Sequence, residues 1–295
     1  MRTRSSTKKV DEPEPEIDEE TGHDDVEHDV KDEASGNDNN DPADDECHSF
    51  TIPFPGKKDI HCELRGANPG ATPSMIWTHG AGGGIDNPAT REFAVGFANI
   101  APVVVFQSNA NLANRVKTYE AVMDHVNFGS ALGGRSMGAR AAGTIAAEDN
   151  RVEAVVLVSY PLIGQGGDLR DEILLNLPER VDVLFVIGTK DHMCPSEQFD
   201  MVRGRMKVPS WLVVAEGADH GMALKKSADT TAFRQKTGEV AAKWLKQRDS
   251  KKRVCEVRWD DEEGKAVVSP WRDDDRVLTG RGSDDEPQPK KQKVT

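Results

Sequence analysis

The chain has 295 residues and a formal net charge of −13, a length that suits one α/β domain of ordinary size with additional terminal residues. Residues 1–48 hold 18 of the 51 acidic residues and 5 of the 38 basic ones, so residues 49–295 carry 33 of each sign. A neutral folded part has no net field that favours nucleic acid or acidic membranes, and we expect neither as a direct partner.

Cysteine placement and apolar patterning indicate the compartment. The four cysteines form no CxxC pair and no zinc-like spacing. No run of about 18 apolar residues is present, which predicts no membrane span. No apolar segment follows the basic residues at the N-terminus, which predicts no secretory signal. We expect a cytoplasmic or nuclear protein, a setting in which disulfides are rare.

Residues 1–48 are rich in Asp, Glu, Asn, Ser and Pro and contain almost no large apolar side chains. Such a segment cannot bury enough surface to offset its chain entropy, so we expect a disordered acidic tail. The tail either keeps the protein soluble or binds a basic protein partner.

Residues 49–248 alternate between short apolar runs and amphipathic stretches, which predicts one α/β domain. The predicted strands cover 50–54, 59–65, 74–79, 102–108, 130–136, 152–162, 181–189 and 210–217, and the predicted helices cover 88–100, 111–128, 137–149, 195–207 and 225–247. Continuous Val, Leu and Ile runs are typical of parallel strands that are buried on both faces. The pattern therefore predicts a mostly parallel sheet flanked by helices.

Residues 249–295 are polar and charged, and we predict a largely disordered C-terminal tail. Within it, Trp259 and Trp271 are candidates to pin short segments to the domain. The run PKKQKV (289–294) resembles a short basic nuclear-import signal, which leaves both the cytoplasm and the nucleus open.

The segment Gly134-Arg135-Ser136-Met137-Gly138 fits the pattern G-x-S-x-G between a predicted strand and a predicted helix. That context is the one a nucleophile elbow requires, because the sharp turn raises the serine hydroxyl above the sheet. The turn also needs small flanking residues, and Gly134 and Gly138 supply them. Ser136 is therefore the candidate nucleophile.

A serine hydroxyl needs an adjacent base, and two residues at later strand ends complete a candidate triad. Asp191 follows the strand at 181–189, and His220 follows the strand at 210–217. The chain order Ser, Asp, His is the order that the strand–turn–helix serine motif predicts. His220 would act as general base, and Asp191 would fix its tautomer.

The run HGAGGG (79–84) follows the strand at 74–79 and supplies a candidate oxyanion hole. One N–H donor would come from Met137, and the other from Ala81 or Gly82. His79 is predicted to brace this loop and not to act as a base. The run lacks the Lys-Ser/Thr of a phosphate loop, and the sequence contains no metal-ligand cluster, so we expect no cofactor and no metal.

The motifs HGAGGG, GGRSMGAR, GTKDHMCP and DHGM together resemble a known group. They look like the α/β-hydrolase-like domain of testis-expressed protein 30 and of the third subunit of the non-specific-lethal histone acetyltransferase complex, with dienelactone-hydrolase-like relatives. The resemblance spans about residues 49–248. It implies an α/β-hydrolase fold but names no substrate, and the tails lie outside it.

Two functions remain open at this point. The first is a serine hydrolase that cleaves small carboxylic esters or related acyl substrates. The short stretch between the strands at 152–162 and 181–189 predicts a minimal cap over the site. The second is a catalytically silent interaction or scaffold protein that binds protein partners through its charged tails, and that is chromatin-associated if it acts like the chromatin-linked member of the resembled group. Arg135 would contact a substrate carboxylate or form a structural ion pair.

Overall fold

The computed structural model describes residues 47–274. The acidic segment before Cys47 and the basic run PKKQKV lie outside the described residues. None of the helices in the described range is long and apolar enough to cross a membrane.

The fold is built on one sheet of eleven strands. The strands are β1 (Cys47–Ile52), β2 (Ile60–Arg65), β3 (Met75–Thr78), β4 (Val103–Phe106), β5 (Ala131–Arg135), β6 (Ala154–Val158), β7 (Asp182–Gly188), β8 (Ser210–Ala215), β9 (Lys252–Asp260), β10 (Lys265–Val268) and β11 (Arg272–Asp273). The helices are α1 (Pro88–Ala98), α2 (Leu112–His125), α3 (Met137–Glu148), α4 (Glu172–Leu175), α5 (Ser196–Arg205) and α6 (Thr230–Lys246).

The strand order is β1-β2-β4-β3-β5-β6-β7-β8-β9-β10, and β11 pairs with β9. Pairing is parallel from β4 through β9, whereas β1 and β2 at one edge and β10 and β11 at the other are antiparallel. Because parallel strands all end at the same edge, the loops after β3, β5, β7 and β8 meet at one rim of the sheet. The predicted mostly parallel sheet flanked by helices is confirmed.

Helices cover both faces of the sheet, which explains the uninterrupted apolar strands. In β6, Val155 and Leu157 face one hydrophobic core, and Val156 and Val158 face the other. Successive side chains of a strand point to opposite faces, so a strand covered on both sides needs apolar residues at every position. The first core includes residues of α2 and α3, and the second includes residues of α1 and α6.

The C-terminal part of the chain differs from the sequence prediction. The sequence pattern predicts a domain that ends at residue 248 and a largely disordered tail after it, but β9, β10 and β11 extend the sheet to Asp273. Val254, Cys255 and Val257 are fully buried, while the residues between and around them are charged. Glu256 and Arg258 alternate with the buried residues and are not buried themselves, and their charge concealed the strand pattern in the sequence.

The stretch between β6 and β7 is short, as its sequence length indicates. It holds only α4 and an antiparallel bridge between Ile163 and Leu169. The side chain of Leu169 is about half exposed. No large cap therefore separates the rim of the sheet from solvent on this side, within the described residues.

Helices α1 and α6 cross at unusually close range on one face of the sheet. A Cβ atom added to Gly96 would lie 1.9 Å from the carbonyl oxygen of Gln235, and one added to Gly238 would lie 2.1 Å from that of Phe93. Backbone atoms cannot move aside as a side chain can. The two glycines therefore set the distance between these helices.

Gly96→Ala should lower the free energy of unfolding by about 3 kcal/mol, the upper part of the range for overpacked cores. Urea unfolding measures the change. Gly204→Ala in α5 is the matched control, because its added methyl meets no atom within 4 Å. That control should be neutral or stabilising by up to about 1 kcal/mol. Equal unfolding midpoints for Gly96→Ala and wild type would contradict the close crossing.

A chain ending at Arg248 should lose several kcal/mol of stability relative to one ending at Asp274. Truncation removes three fully buried residues of β9, and each buried apolar side chain contributes about 1.5–3 kcal/mol. It also leaves β8 as an unpaired edge, which favours aggregation. Urea unfolding and light scattering measure both effects. If the two chains unfolded at the same urea concentration, β9 would not belong to the cooperative fold.

Candidate active site

The three candidate catalytic residues come together at the carboxyl rim of the sheet. Ser136 follows β5 directly, Asp191 lies three residues beyond the end of β7, and His220 lies in the loop after β8. These strands run parallel with only β6 between β5 and β7, so their ends deliver the three side chains to one place.

Ser136 occupies a sharp turn between β5 and α3. Its φ and ψ angles are 52° and −114°, a conformation that costs a non-glycine residue of order 1–3 kcal/mol. A Cβ on Gly134 would lie 2.2 Å from the carbonyl carbon of Gly138, and a Cβ on Gly138 would lie 2.6 Å from the carbonyl oxygen of Thr78. The turn therefore closes only because both flanking residues are glycine.

The side chains of Ser136, His220 and Asp191 form a continuous hydrogen-bonded chain. The Nε2 atom of His220 is 3.0 Å from the Ser136 Oγ, and its Nδ1 atom is 2.9 and 3.0 Å from the two Asp191 carboxylate oxygens. A carboxylate only accepts, so Nδ1 carries the proton, and Nε2 is left to accept from the serine hydroxyl. This is the tautomer that a general base requires.

The surroundings of Asp191 hold its carboxylate in place. The side chain is fully buried, and its Oδ1 also accepts a 2.9 Å hydrogen bond from the Met193 N–H. The His220 side chain is about one-quarter exposed. The acid is thus shielded from water, while the imidazole reaches the surface where a substrate can approach.

The loop that carries His220 is anchored independently of the triad. Its Ala218 carbonyl accepts from the Lys190 N–H, and the Asp219 carboxylate accepts from the Ala223 N–H at 2.9 Å. Asp219 thus stabilises its own loop, in keeping with the choice of Asp191 as the acid. The guanidinium of Arg234 donates to the Gly221 carbonyl and pairs with Glu92.

Strained backbone is concentrated at this rim. The three described non-glycine residues with positive φ are Ser136, Ser159 and Met222. Ser136 and Ser159 directly follow β5 and β6, and Met222 lies in the loop after β8, two residues beyond His220. Strain of this kind persists only where the surrounding structure holds it, and it clusters at functional sites.

The candidate oxyanion donors Met137 and Ala81 have N–H groups without a protein partner in the described part of the chain. Met137 is the first residue of α3, so its N–H has no partner within the helix and lies at the positive end of the helix dipole. Ala81 and Gly82 are exposed.

His79 braces the loop, as predicted. Its Nδ1 donates to the Gly80 carbonyl at 2.7 Å, and its Nε2 accepts from the Ser108 N–H at 3.0 Å. Burial and the nearby Arg115 charge lower the pKa of His79 to about 4. The ring is therefore neutral at physiological pH, and both of its nitrogens are already engaged.

The sequence analysis did not identify Arg115, which donates hydrogen bonds to the same loop as His79 does. Its guanidinium donates to the carbonyls of His79, Gly80 and Asn109. One signal was available: Arg115 precedes Tyr119 by four residues, so an arginine lies on the apolar face of a predicted amphipathic helix. A charged residue in that position usually has a specific set of partners.

Three other polar or reactive groups near the site lie outside the hydrogen-bonded chain of Ser136, His220 and Asp191. Arg135 donates to the His220 carbonyl at 3.3 Å. Burial raises the pKa of the Cys194 thiol, which keeps it protonated and unreactive. His192 is exposed. Across residues 47–274, no cluster of three or more His, Cys, Asp or Glu side chains could hold a metal ion.

Comparison with known proteins agrees with this architecture. A family model described as an alpha/beta hydrolase domain matches residues 71–247. The esterase domain of a Rhodothermus marinus protein is similar with a TM-score of 0.52 and 15% identity, covering 68% of this chain and 97% of that one. Est1E from Butyrivibrio proteoclasticus gives a TM-score of 0.53 at 15% identity, with coverage of 68% and 99%.

A dienelactone hydrolase from Anabaena variabilis is similar at 18% identity with a TM-score of 0.52, covering 68% of this chain and 97% of that one. At such low identity these structures show a shared fold. The family model matches more than half of the sequence, and the chain therefore belongs to the α/β-hydrolase domain family.

Proposed function

We propose that this protein is a serine hydrolase that cleaves carboxylic esters or related acyl compounds. The observation that carries the proposal is the 3.0 Å contact between the Ser136 Oγ and the His220 Nε2, with the buried Asp191 on the opposite side of the imidazole. Membership in the α/β-hydrolase family supports the same reaction class.

The geometry supports acyl transfer in two halves. The Ser136 oxygen attacks the substrate carbonyl carbon while His220 takes the hydroxyl proton, and the carbonyl oxygen becomes an oxyanion. As the tetrahedral intermediate collapses, His220 gives the proton to the leaving group, and an acyl-serine ester remains. Water then attacks this ester with His220 again as base, which releases the acid and restores Ser136.

The oxyanion would be stabilised by backbone N–H groups. Met137 provides one donor, with the α3 dipole behind it. The loop at Ala81 and Gly82 provides the second. Each such donor contributes about 100- to 1,000-fold to the rate in enzymes of this kind.

The open surface at the rim favours small substrates. The stretch between β6 and β7 holds only the short helix α4, and its Leu169 side chain is about half exposed, so it forms no large cap over the triad. The short stretch that contains Ile163 and Leu169 supplies an apolar edge beside the acid, because the Ile163 N–H donates to the carbonyl of Met193, whose own N–H donates to Asp191. A site without a large cap suits short acyl groups better than long lipid chains.

The resemblance to the group of testis-expressed protein 30 and the non-specific-lethal complex subunit is compatible with this proposal but identifies no substrate. The same resemblance also allows a competing function, an interaction protein that has the α/β-hydrolase fold but does not hydrolyse a substrate. Chemical labelling separates the two, because a fluorophosphonate reacts only with an activated serine.

A fluorophosphonate probe should label the wild-type protein and should not label Ser136→Ala. Activation by His220 makes Ser136 the reactive serine, and its removal abolishes the covalent bond. In-gel fluorescence and intact-protein mass spectrometry detect the adduct. Ser130→Ala, at the opposite end of β5, is the matched control and should label normally. A folded wild-type protein that stayed unlabelled would favour the interaction role.

Asp191→Asn should lower kcat for a short-chain aryl ester by about 10³- to 10⁴-fold, because the amide would favour the wrong imidazole tautomer. Asp219→Asn is the matched control. Its side-chain oxygen can still accept from the Ala223 N–H, so kcat should stay within about twofold of wild type. Steady-state kinetics measures both variants. Equal losses in the two would contradict the assignment of Asp191 as the orienting acid.

A further inference from the structure

Arg115 is a fully buried cation whose hydrogen-bond partners are all backbone carbonyls. Its Nη2 atom donates to the carbonyls of Gly80 at 3.0 Å and Asn109 at 2.7 Å, and its Nη1 atom donates to the carbonyl of His79. No carboxylate of residues 47–274 forms an ion pair with it. Two of its three partners belong to residues 79–84, which we call the oxyanion loop.

Burying a guanidinium without a counter-ion is unfavourable, so its presence needs an explanation. Burial lowers the pKa of Arg115 to about 10, which leaves the group charged at neutral pH. A neutral side chain would be easier to accommodate in a helix that packs against the sheet. Arg115 therefore supplies something that an apolar residue cannot, namely several strong, directed donors to the oxyanion loop.

Peptide geometry links these hydrogen bonds to the candidate donor in the loop. In a planar trans peptide, the C=O of one residue and the N–H of the next point to opposite sides. The Gly80 carbonyl points toward Arg115 and His79, so the N–H of Ala81 points away from them. Gly80 itself lies against the nucleophile, because a Cβ built on it would be 3.5 Å from the Ser136 Cβ.

We propose that Arg115 is a positioning residue for acyl transfer: by holding the carbonyls of His79 and Gly80, it directs the Ala81 N–H toward the oxyanion that forms when Ser136 attacks. The inference rests on the proposed serine hydrolase function and selects Ala81 over Gly82 as the second donor. The fixed positive charge beneath the loop adds to the stabilisation of the oxyanion.

A second buried arginine provides the matched control. Arg203 is equally enclosed, but it pairs with Asp274 at 2.6 Å and donates to Ser210 at the start of β8, at the opposite end of the strands from Ser136. Both arginines contribute to the core, and only Arg115 contacts the oxyanion loop. Substitutions at the two positions therefore separate loss of packing from loss of loop geometry.

The test compares Arg115→Lys with Arg203→Lys in the full chain. Lysine keeps the charge but lacks the planar fork that reaches several carbonyls at once. With an aryl acetate, we expect Arg115→Lys to lower kcat by about 10- to 100-fold, a part of the effect of losing one oxyanion donor, with KM within about twofold. Burst titration normalises kcat to the number of reactive serines. Arg203→Lys should keep the wild-type kcat per reactive serine.

An aryl trifluoromethyl ketone supplies a readout that a purely structural role would not change. Ser136 adds to this ketone to form an anionic hemiketal that resembles the transition state, so its inhibition constant should rise in Arg115→Lys by the same factor by which kcat falls. A folded Arg115→Lys with wild-type kcat and wild-type inhibition would overturn the proposal.

Should Arg115→Lys fail to fold, His79→Leu serves as the second variant, because it removes the other donor to the Gly80 carbonyl. It should show the same fall in kcat and the same weakening of the ketone. If both variants unfold, Arg115 has a structural role only and the proposal fails. If the wild type itself lacks Ser136-dependent turnover, the proposed function fails, and the role of Arg115 falls with it.

Discussion

The close approach of three backbone segments beneath Ser136 is the constraint on which the rest of the site depends. Gly134 at the end of β5 lies against Gly138 in the first turn of α3, and Gly138 in turn lies against the end of β3. No side chain fits between these segments. The contact between these segments forces the sharp turn at Ser136. Gly138 lies against the end of β3, and the oxyanion loop begins directly after that strand end.

Much of this arrangement could be predicted from sequence because its signals are local. The strand–turn–helix context around Ser136 spans about ten residues, and its glycines have a steric reason to be there. Asp191 and His220 could be placed because each follows a continuous apolar strand, and parallel strands end at one rim. The distances between the side-chain atoms of Ser136, His220 and Asp191 could not be predicted, since no sequence pattern fixes the hydrogen bonds that join them.

Two features escaped prediction for different physical reasons. β9 pairs with β8 and with β10 and β11, but Glu256 and Arg258 on one of its faces are not buried, so its sequence resembles a polar tail. Arg115 escaped because two of its three partners lie 35 and 36 residues earlier in the chain, and because all three are backbone carbonyls, which leave no trace in side-chain patterns. Both the pairing of β9 and the contacts of Arg115 depend on the three-dimensional arrangement of residues 47–274.

The positive φ angles at Ser136, Ser159 and Met222 have a consequence for how this protein can evolve. Selection for thermal stability alone would act on these residues first, since each could adopt a negative φ angle if the turn around it became wider. The same widening would move the hydroxyl away from the imidazole. Thermal stability and the contact between Ser136 and His220 therefore make opposite demands on the backbone at this rim. Substitutions that raise thermal stability and keep this contact have to lie elsewhere in the molecule.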